Sequence, residues 1–151
     1  MAGPLNYIDL FAGGIGAWSY GLSQCGMRHL VGIELNKQAA EAYRANHGPC
    51  LQVDISTVTA ETLAPYLQGR RCNVLAASPP CQGFSSQGNR DPADPRNHLY
   101  MHVVRLTDAL KPDFVLMENV RGLASMKHPA TGELYIKTVQ AAFAAVGYDS
   151  A

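Results

Sequence analysis

The segment YIDLFAGGIG, residues 7–16, joins a strand pattern to a glycine-rich turn. Residues 7–11, which are apolar except for Asp9, predict a β-strand, and a helix is predicted over residues 15–25, ending at Gly26. Three glycines within four positions let the backbone approach a ligand or a neighbouring element where a Cβ would clash: Gly13, Gly14 and Gly16. A strand, a glycine turn and a helix in this order are typical of an α/β fold.

Strands continue to alternate with helices along the rest of the chain. Further strands are predicted over residues 30–34, 50–53, 74–77 and 114–117, and further helices over about 36–48, 60–67, 98–110 and 135–146. We expect Pro65 to break the helix of 60–67 in its second half. The alternation predicts a doubly wound, mostly parallel sheet in a single domain over residues 1–151.

Composition limits the classes of function. The chain has 151 residues, of which 47% are apolar and 16% charged, and this is enough for a core. Its formal net charge is zero, whereas a protein that contacts many DNA phosphates is usually basic, so such contacts must be local or supplied by another chain. Neither a signal-peptide pattern nor a metal-ligand or disulfide spacing of cysteines is present, and no apolar run approaches the roughly 20 residues of a membrane span. We expect a cytoplasmic location.

A cysteine follows the fourth predicted strand within ASPPCQGFS, residues 77–85. The two prolines have fixed φ angles and no N–H, so the loop that enters Cys81 is stiff. A thiol on a rigid loop after a buried strand is a suitable nucleophile, although a single cysteine is more often a small buried side chain. The polar loop that follows, residues 82–97, is longer than compact folds usually contain without a function.

Polar or reactive residues occupy the ends of all five predicted strands: Asp9, Glu34, Asp54, Cys81 and Glu118. Glu34 stands twenty residues after Gly14, where an acid accepts hydrogen bonds from a ribose in nucleotide-binding folds. Asp54 is placed to reach an adenine amino group. Glu118, if partly desolvated near the thiol, is suited to act as an acid, and a capping or ion-pairing role is the alternative. The glycine spacing is not Gly-x-Gly-x-x-Gly, so the pattern favours an adenosine site without a pyrophosphate site.

The five histidines show no ligand pattern, and we expect them on the surface or on helix faces: His29, His47, His98, His102 and His128. No metal site is predicted.

Together these motifs resemble those of the C5-cytosine DNA methyltransferases. Residues 9–16, DLFAGGIG, are similar to the family's cofactor-binding motif, and residues 79–82, PPCQ, to its nucleophile motif. Residues 118–120, ENV, resemble its Glu-Asn-Val motif, and residues 94–99, DPRNHL, resemble its Asp-x-Arg-x-x-Leu segment. The motifs occur in family order and the resemblance covers about residues 7–148.

The resemblance implies a Rossmann-like methyltransferase fold and transfer of a methyl group from S-adenosylmethionine to C5 of a flipped-out cytosine in double-stranded DNA, as in restriction–modification systems. Cys81 would add to C6 of the base while Glu118 protonates N3. A thiolate suits this role because it both attacks and leaves well. The cofactor site would comprise Phe11, Gly13, Gly14, Gly16, Glu34, Leu35, Asp54, Ile55, Ser78, Pro80 and Leu99. Contacts to the substrate would come from Gln82, Ser85, Arg96, Asn119 and Val120.

The chain also departs from the family pattern. Ser78 stands where many members have glycine, and Leu35 stands where an aromatic residue often stacks on adenine, so we expect a lower cofactor affinity. The family's Gln-x-Arg-x-Arg strand and target-recognition domain do not appear in the sequence. We therefore expect an incomplete catalytic part that needs a complementary polypeptide, with residues 114–117 as an apolar sheet edge. The alternatives are a non-catalytic S-adenosylmethionine-binding or regulatory subunit and a tRNA cytosine-5 methyltransferase.

Overall fold

The computed structural model describes residues 3–80, 94–127 and 131–150. The chain divides into two compact units, one of Met1–Ser78 with Leu106–Met117, the other of Pro79–Arg105 with Glu118–Ala151. The first unit contains one sheet of five strands: β1 (Asn6–Leu10), β2 (Arg28–Glu34), β3 (Cys50–Gln52), β4 (Val74–Ala77) and β5 (Phe114–Met117).

The sheet is parallel throughout, with the strand order β3-β2-β1-β4-β5. In the central strand β1, Ile8 pairs with Val31 on one side and with Leu75 on the other, and all three side chains are fully buried. The order reverses direction between β1 and β4, and ligands of open α/β sheets bind outside the carboxyl ends of the strands at such a point. The predicted doubly wound parallel sheet is confirmed.

Six helices are present in the described residues: α1 (Ala17–Gln24), α2 (Lys37–His47), α3 (Ala60–Leu67), α4 (Tyr100–Leu110), α5 (Gly122–Ser125) and α6 (Tyr135–Ala145). The helix expected from residue 98 begins at Tyr100, because Pro95–His98 form a separate 3₁₀ helix. The carboxylate of Asp94 caps that short helix by accepting the N–H of Arg96 at 2.8 Å. Residues 82–93 of the predicted polar loop, and Cys81 before it, lie outside the described residues.

The prediction that Pro65 breaks its helix is wrong. Helix α3 runs through Pro65 to Leu67. It is held at its start by a capping box, in which the Thr59 hydroxyl accepts the Thr62 N–H and the Thr62 hydroxyl accepts the Thr59 N–H. Leu63 is fully buried and anchors the middle of the helix. Capping and burial therefore offset the loss of one hydrogen bond at the proline.

The two units bury different apolar sets. In the second unit, α5 and α6 pack together, with Leu123, Tyr135, Val139 and Phe143 buried. In the first unit β5 forms an edge of the described sheet, and Phe114 is 61% exposed, as expected for the apolar edge at residues 114–117. Among the helices of the described residues, none has both the length and the apolar character needed to cross a membrane.

Candidate active site

The glycine-rich turn begins one residue earlier than predicted. Strand β1 ends at Leu10, and Phe11 has a φ of 56°, in the left-handed region, so it is not a strand residue. Such a conformation costs a non-glycine residue about 1–3 kcal/mol, which the surroundings must offset. The next residue helps to offset this cost, since the Ala12 N–H donates a hydrogen bond to the Ile33 carbonyl at 3.0 Å. The chain thereby leaves β1 while staying attached to β2.

The turn brings two predicted cofactor residues together. The N–H of Gly13 donates to Oε2 of Glu34 at 2.8 Å, and the N–H of Asn36 donates to Oε1 of the same carboxylate at 2.7 Å. Each oxygen has further acceptor capacity, because a carboxylate offers about four lone-pair positions. A Cβ built on Gly13 would meet no atom within 4 Å, so this glycine borders open space. The Glu34 carboxylate is therefore held in place as a hydrogen-bond acceptor, with open space beside the neighbouring Gly13 backbone.

The other two glycines of the turn face helix α2. A Cβ on Gly14 would lie 3.4 Å from Cβ of Ala42, a close van der Waals contact. A Cβ on Gly16 would lie 2.5 Å from Cδ2 of His47 and 2.7 Å from Cε2 of Tyr43, closer than real atoms approach. Gly16 also has a φ of 62°. Because these two glycines have no side chains, helix α2 can pack closely against the turn. Contact of Gly14 and Gly16 with a cofactor stays a prediction.

Asp9 does not present a free carboxylate at the sheet edge, in contrast to the interpretation of all five strand ends as site groups. It is 1% exposed, and its Oδ2 accepts hydrogen bonds from Ser19 Oγ at 2.8 Å and from the Tyr43 hydroxyl at 3.3 Å. Burial raises the pKa of Asp9 to about 6, although these hydrogen bonds act in the opposite direction. Its role is in the core beneath the turn.

His29 is also placed differently from the expectation of a surface residue. Its ring lies between those of Tyr7 and Tyr43, with centroid separations of 5.3 and 5.6 Å. Its Nε2 is 3.0 Å from the Tyr43 hydroxyl, and burial lowers the pKa of His29 to about 4. The ring is therefore neutral at pH 7. The Tyr43 hydroxyl donates its proton to Asp9, so its oxygen acts as an acceptor toward His29. The proton on His29 therefore lies on Nε2, which donates to the Tyr43 oxygen.

Three further predicted cofactor residues follow strands β2 and β3. Leu35 is 63% exposed directly after Glu34. The Asp54 carboxylate accepts the N–H of Ser56 at 2.8 Å and so caps a 3₁₀ helix, Ile55–Thr57. Ile55 itself is buried within the first unit. Leu35 and Asp54 are thus available at the surface, whereas Ile55 has little free area.

Ser78 continues the pairing of β1 with β4 beyond the end of the strand. Its N–H donates to the Leu10 carbonyl at 3.1 Å, and its side chain is half-buried. In the register of β4 with β5, Ala77 lies opposite Met117. The two strands that precede the predicted nucleophile and the predicted acid are therefore neighbours in the sheet, as the sequence predicts.

The remaining predicted residues belong to the second unit. Pro80 and Glu118 are exposed, and Leu99 is half-buried. The Asn119 side-chain oxygen accepts the Val120 N–H at 2.9 Å, which fixes the turn ahead of α5.

Arg96 is paired with the residue that caps its own 3₁₀ helix. Its Nε and Nη2 donate to the two oxygens of Asp94 at 2.9 and 2.5 Å. The guanidinium lowers the pKa of Asp94 to about 2. Three predicted residues, Cys81, Gln82 and Ser85, lie outside the described residues.

A family model for the "C-5 cytosine-specific DNA methylase" matches residues 5–151. The chain belongs to this family. The chain is 38% identical to the Type II methyltransferase M1.HphI of Haemophilus parahaemolyticus over 79% of its own length and 33% of that protein. It is 38% identical to the Type II methyltransferase M.DdeI of Desulfomicrobium norvegicum over 95% of its length and 34% of that protein.

A relative with a different named substrate is the tRNA (cytosine(38)-C(5))-methyltransferase of Schizosaccharomyces pombe, 33% identical over 82% of this chain and 38% of that protein. Among solved structures, the Dnmt2 methyltransferase of S. pombe has a TM-score of 0.63 and 26% identity, covering 91% of this chain and 40% of that one. This chain thus spans about a third of the length of the Type II methyltransferases it matches. The methyl donor of this family is S-adenosylmethionine, as predicted, and the fold is that of its methyltransferases.

Proposed function

We propose that this chain is the cofactor-binding and catalytic part of a DNA (cytosine-5-)-methyltransferase. The observation that carries the proposal is the family match over residues 5–151, which includes both Cys81 and Glu118. Two Type II methyltransferases at 38% identity support DNA as the substrate. The chain spans about a third of these relatives, and residues 1–151 are assigned only the cofactor-binding and catalytic roles.

The residues around the glycine turn fit an adenosine moiety. The Glu34 carboxylate is oriented by two backbone donors and keeps lone pairs for ribose hydroxyls. Gly13 leaves room beside it, and the exposed side chain of Leu35 offers an apolar surface to a base. The Asp54 side chain is exposed at the end of β3, where its carboxylate caps the 3₁₀ helix Ile55–Thr57. We assign these four residues to S-adenosylmethionine, with the other cofactor residues predicted from the sequence as its surroundings.

The cofactor supplies an electrophilic methyl group. In the proposed reaction the Cys81 thiolate adds to C6 of a cytosine and forms a carbon–sulfur bond, while Glu118 gives a proton to N3. The ring then carries electron density at C5, which takes the methyl group as the bond between that methyl carbon and the sulfonium sulfur breaks, so that S-adenosylhomocysteine leaves. Loss of the C5 proton expels the Cys81 thiolate and re-forms the C5–C6 double bond, and the N3 proton returns to Glu118. Extrusion of the base costs a few kcal/mol, which contacts around the pocket must offset.

Covalent trapping tests the proposal. We expect the chain, with S-adenosylmethionine and random-sequence duplexes containing 5-fluorocytosine, to form an adduct at Cys81, with or without a polypeptide carrying the later family segments. Because the fluorine blocks loss of the C5 substituent, the adduct survives denaturation and is located by peptide mass. Cys81→Ser removes it, and the matched control Cys25→Ser, at an exposed thiol, retains it. Absence of an adduct under both conditions contradicts the proposed chemistry.

A tRNA cytosine-5 methyltransferase is the second candidate, favoured by the 33% identical S. pombe relative. Methyl transfer from labelled S-adenosylmethionine to duplex DNA and to tRNA, measured side by side, separates the two: label in tRNA alone selects the second. Cofactor binding with no adduct and no label in either acceptor would instead identify a non-catalytic subunit.

A further inference from the structure

Helix α2 is joined to the glycine-rich turn by one side chain. Nε2 of His47, in the last turn of the helix, is 2.7 Å from the carbonyl oxygen of Ile15. Because a carbonyl only accepts, the imidazole Nε2 must carry the proton and donate it. The Ile15 side chain is 83% exposed, so its own packing does not fix the turn at this residue. The hydrogen bond from His47 holds the backbone there.

Tyr43, one helical turn earlier, supports the His47 ring. The two ring centroids are 4.9 Å apart, with an angle of 52° between the planes. Both rings lie against the Cα of Gly16, where any Cβ would be 2.5 Å from one ring and 2.7 Å from the other. The Tyr43 hydroxyl is in turn bonded to Asp9 of the central strand. His47 is thus backed by a group that is itself fixed to the sheet.

Between Gly13 and Ile15, the glycine turn makes two hydrogen bonds of opposite direction. Its Gly13 N–H donates to Glu34, and two residues later its Ile15 carbonyl accepts from His47. Gly13 has a φ of 61° and Gly16 a φ of 62°, so the intervening peptides sit between two left-handed residues with wide conformational freedom. Without the second hydrogen bond, these peptides could reorient and take the Gly13 N–H away from Glu34.

We propose that His47 is a positioning residue that sets the affinity of the glycine turn for the cofactor. The inference rests on the proposed function only in taking this turn as the S-adenosylmethionine site. A neutral hydrogen bond contributes about 1 kcal/mol, which corresponds to roughly fivefold in a dissociation constant. Loss of the bond is expected to weaken cofactor binding by about that factor.

Two amide substitutions separate positioning from general stability. A glutamine at position 47 places an N–H donor near the position of Nε2, whereas an asparagine is one methylene too short to reach the Ile15 carbonyl. His47→Gln is therefore expected to retain the affinity for S-adenosylhomocysteine, and His47→Asn to lose about fivefold. Asn46→Ala is the matched control, since the Asn46 side chain is exposed and donates within α2, to the Ala42 carbonyl at 2.9 Å.

The measurement is the dissociation constant for S-adenosylhomocysteine by calorimetry on the whole chain, with the midpoint of thermal unfolding recorded for each variant. Equal affinities for His47→Asn, His47→Gln and wild type would overturn the proposal, as would equal weakening by both amides. Weaker binding by His47→Asn alone, with an unfolding midpoint like that of His47→Gln, supports it. Absence of binding by the wild type itself contradicts the assigned cofactor site, and the positioning role with it.

Discussion

Asp9→Asn gives a direct test of the buried carboxyl group beneath the glycine turn. In the folded chain burial raises the pKa of Asp9 to about 6, from an ordinary value of 3.8. The folded state therefore binds a proton more tightly than the unfolded state, and between these two pH values the unfolding free energy falls as pH rises. The stabilisation from the proton is complete below pH 3.8 and is lost as pH rises through about 6.

The magnitude follows from the two pKa values. A separation of about two units corresponds to about 3 kcal/mol in total, and roughly 1 kcal/mol of this lies between pH 7 and pH 5. The amide side chain of the variant has no proton to gain but keeps the size of the carboxyl group. The wild-type free energy of unfolding, minus that of Asp9→Asn, should therefore increase by about 1 kcal/mol when the pH is lowered from 7 to 5.

Urea unfolding followed by far-ultraviolet circular dichroism at both pH values measures this difference. Titrating groups that do not interact with position 9 contribute to both proteins alike and cancel in the difference. Asp108→Asn is the control, because that carboxylate is exposed and pairs with Lys111 at 2.6 Å on the surface. A wild-type-to-variant difference that is constant between pH 7 and 5, or that shrinks, would refute the raised pKa.

Two further predictions concern the same region. Gly32→Ala places a Cβ 2.5 Å from Cε1 of Tyr43, so we expect the free energy of unfolding in urea to fall by about 1–3 kcal/mol. In the control Gly21→Ala, a new Cβ meets nothing within 4 Å on helix α1, so the free energy of unfolding should rise by up to about 1 kcal/mol. Glu34→Gln turns one of two accepting oxygens into a donor that faces an N–H, so S-adenosylhomocysteine binding by calorimetry should weaken at least about tenfold. Glu41→Gln on exposed α2 is its control, and equal affinities for both variants would exclude the assigned role.

The architecture was accessible from the sequence because it depends on local apolar runs. All five predicted strands occur, in a parallel sheet, since residues such as Ile8, Val31 and Leu75 are buried from both sides. The errors arise where tertiary contacts override local preference. Pro65 stays helical because capping and burial of its helix outweigh one lost hydrogen bond, and Phe11 leaves the strand to enter the turn.

The candidate site was predictable only in part, for a similar reason. The pairing of Gly13 with Glu34 follows from the spacing of a known strand–turn–helix unit. The core position of Asp9 does not, because it depends on Ser19 and Tyr43 reaching it from two different helices. One signal was present in the sequence, since a glycine inside a buried strand, Gly32, indicates a close approach, in this case by the Tyr43 ring.

The contact of Gly16 with the Tyr43 and His47 rings has a consequence for protein engineering. Residues 9–16 do not determine their own backbone conformation, because contacts with helix α2 shape it as well as their own glycines. If this loop alone were transferred into another α/β scaffold, Gly16 would no longer pack against the two rings of α2 that shape its backbone. The shortest segment that contains both the loop and the helix that packs against it runs from β1 to the end of α2, residues 6–47.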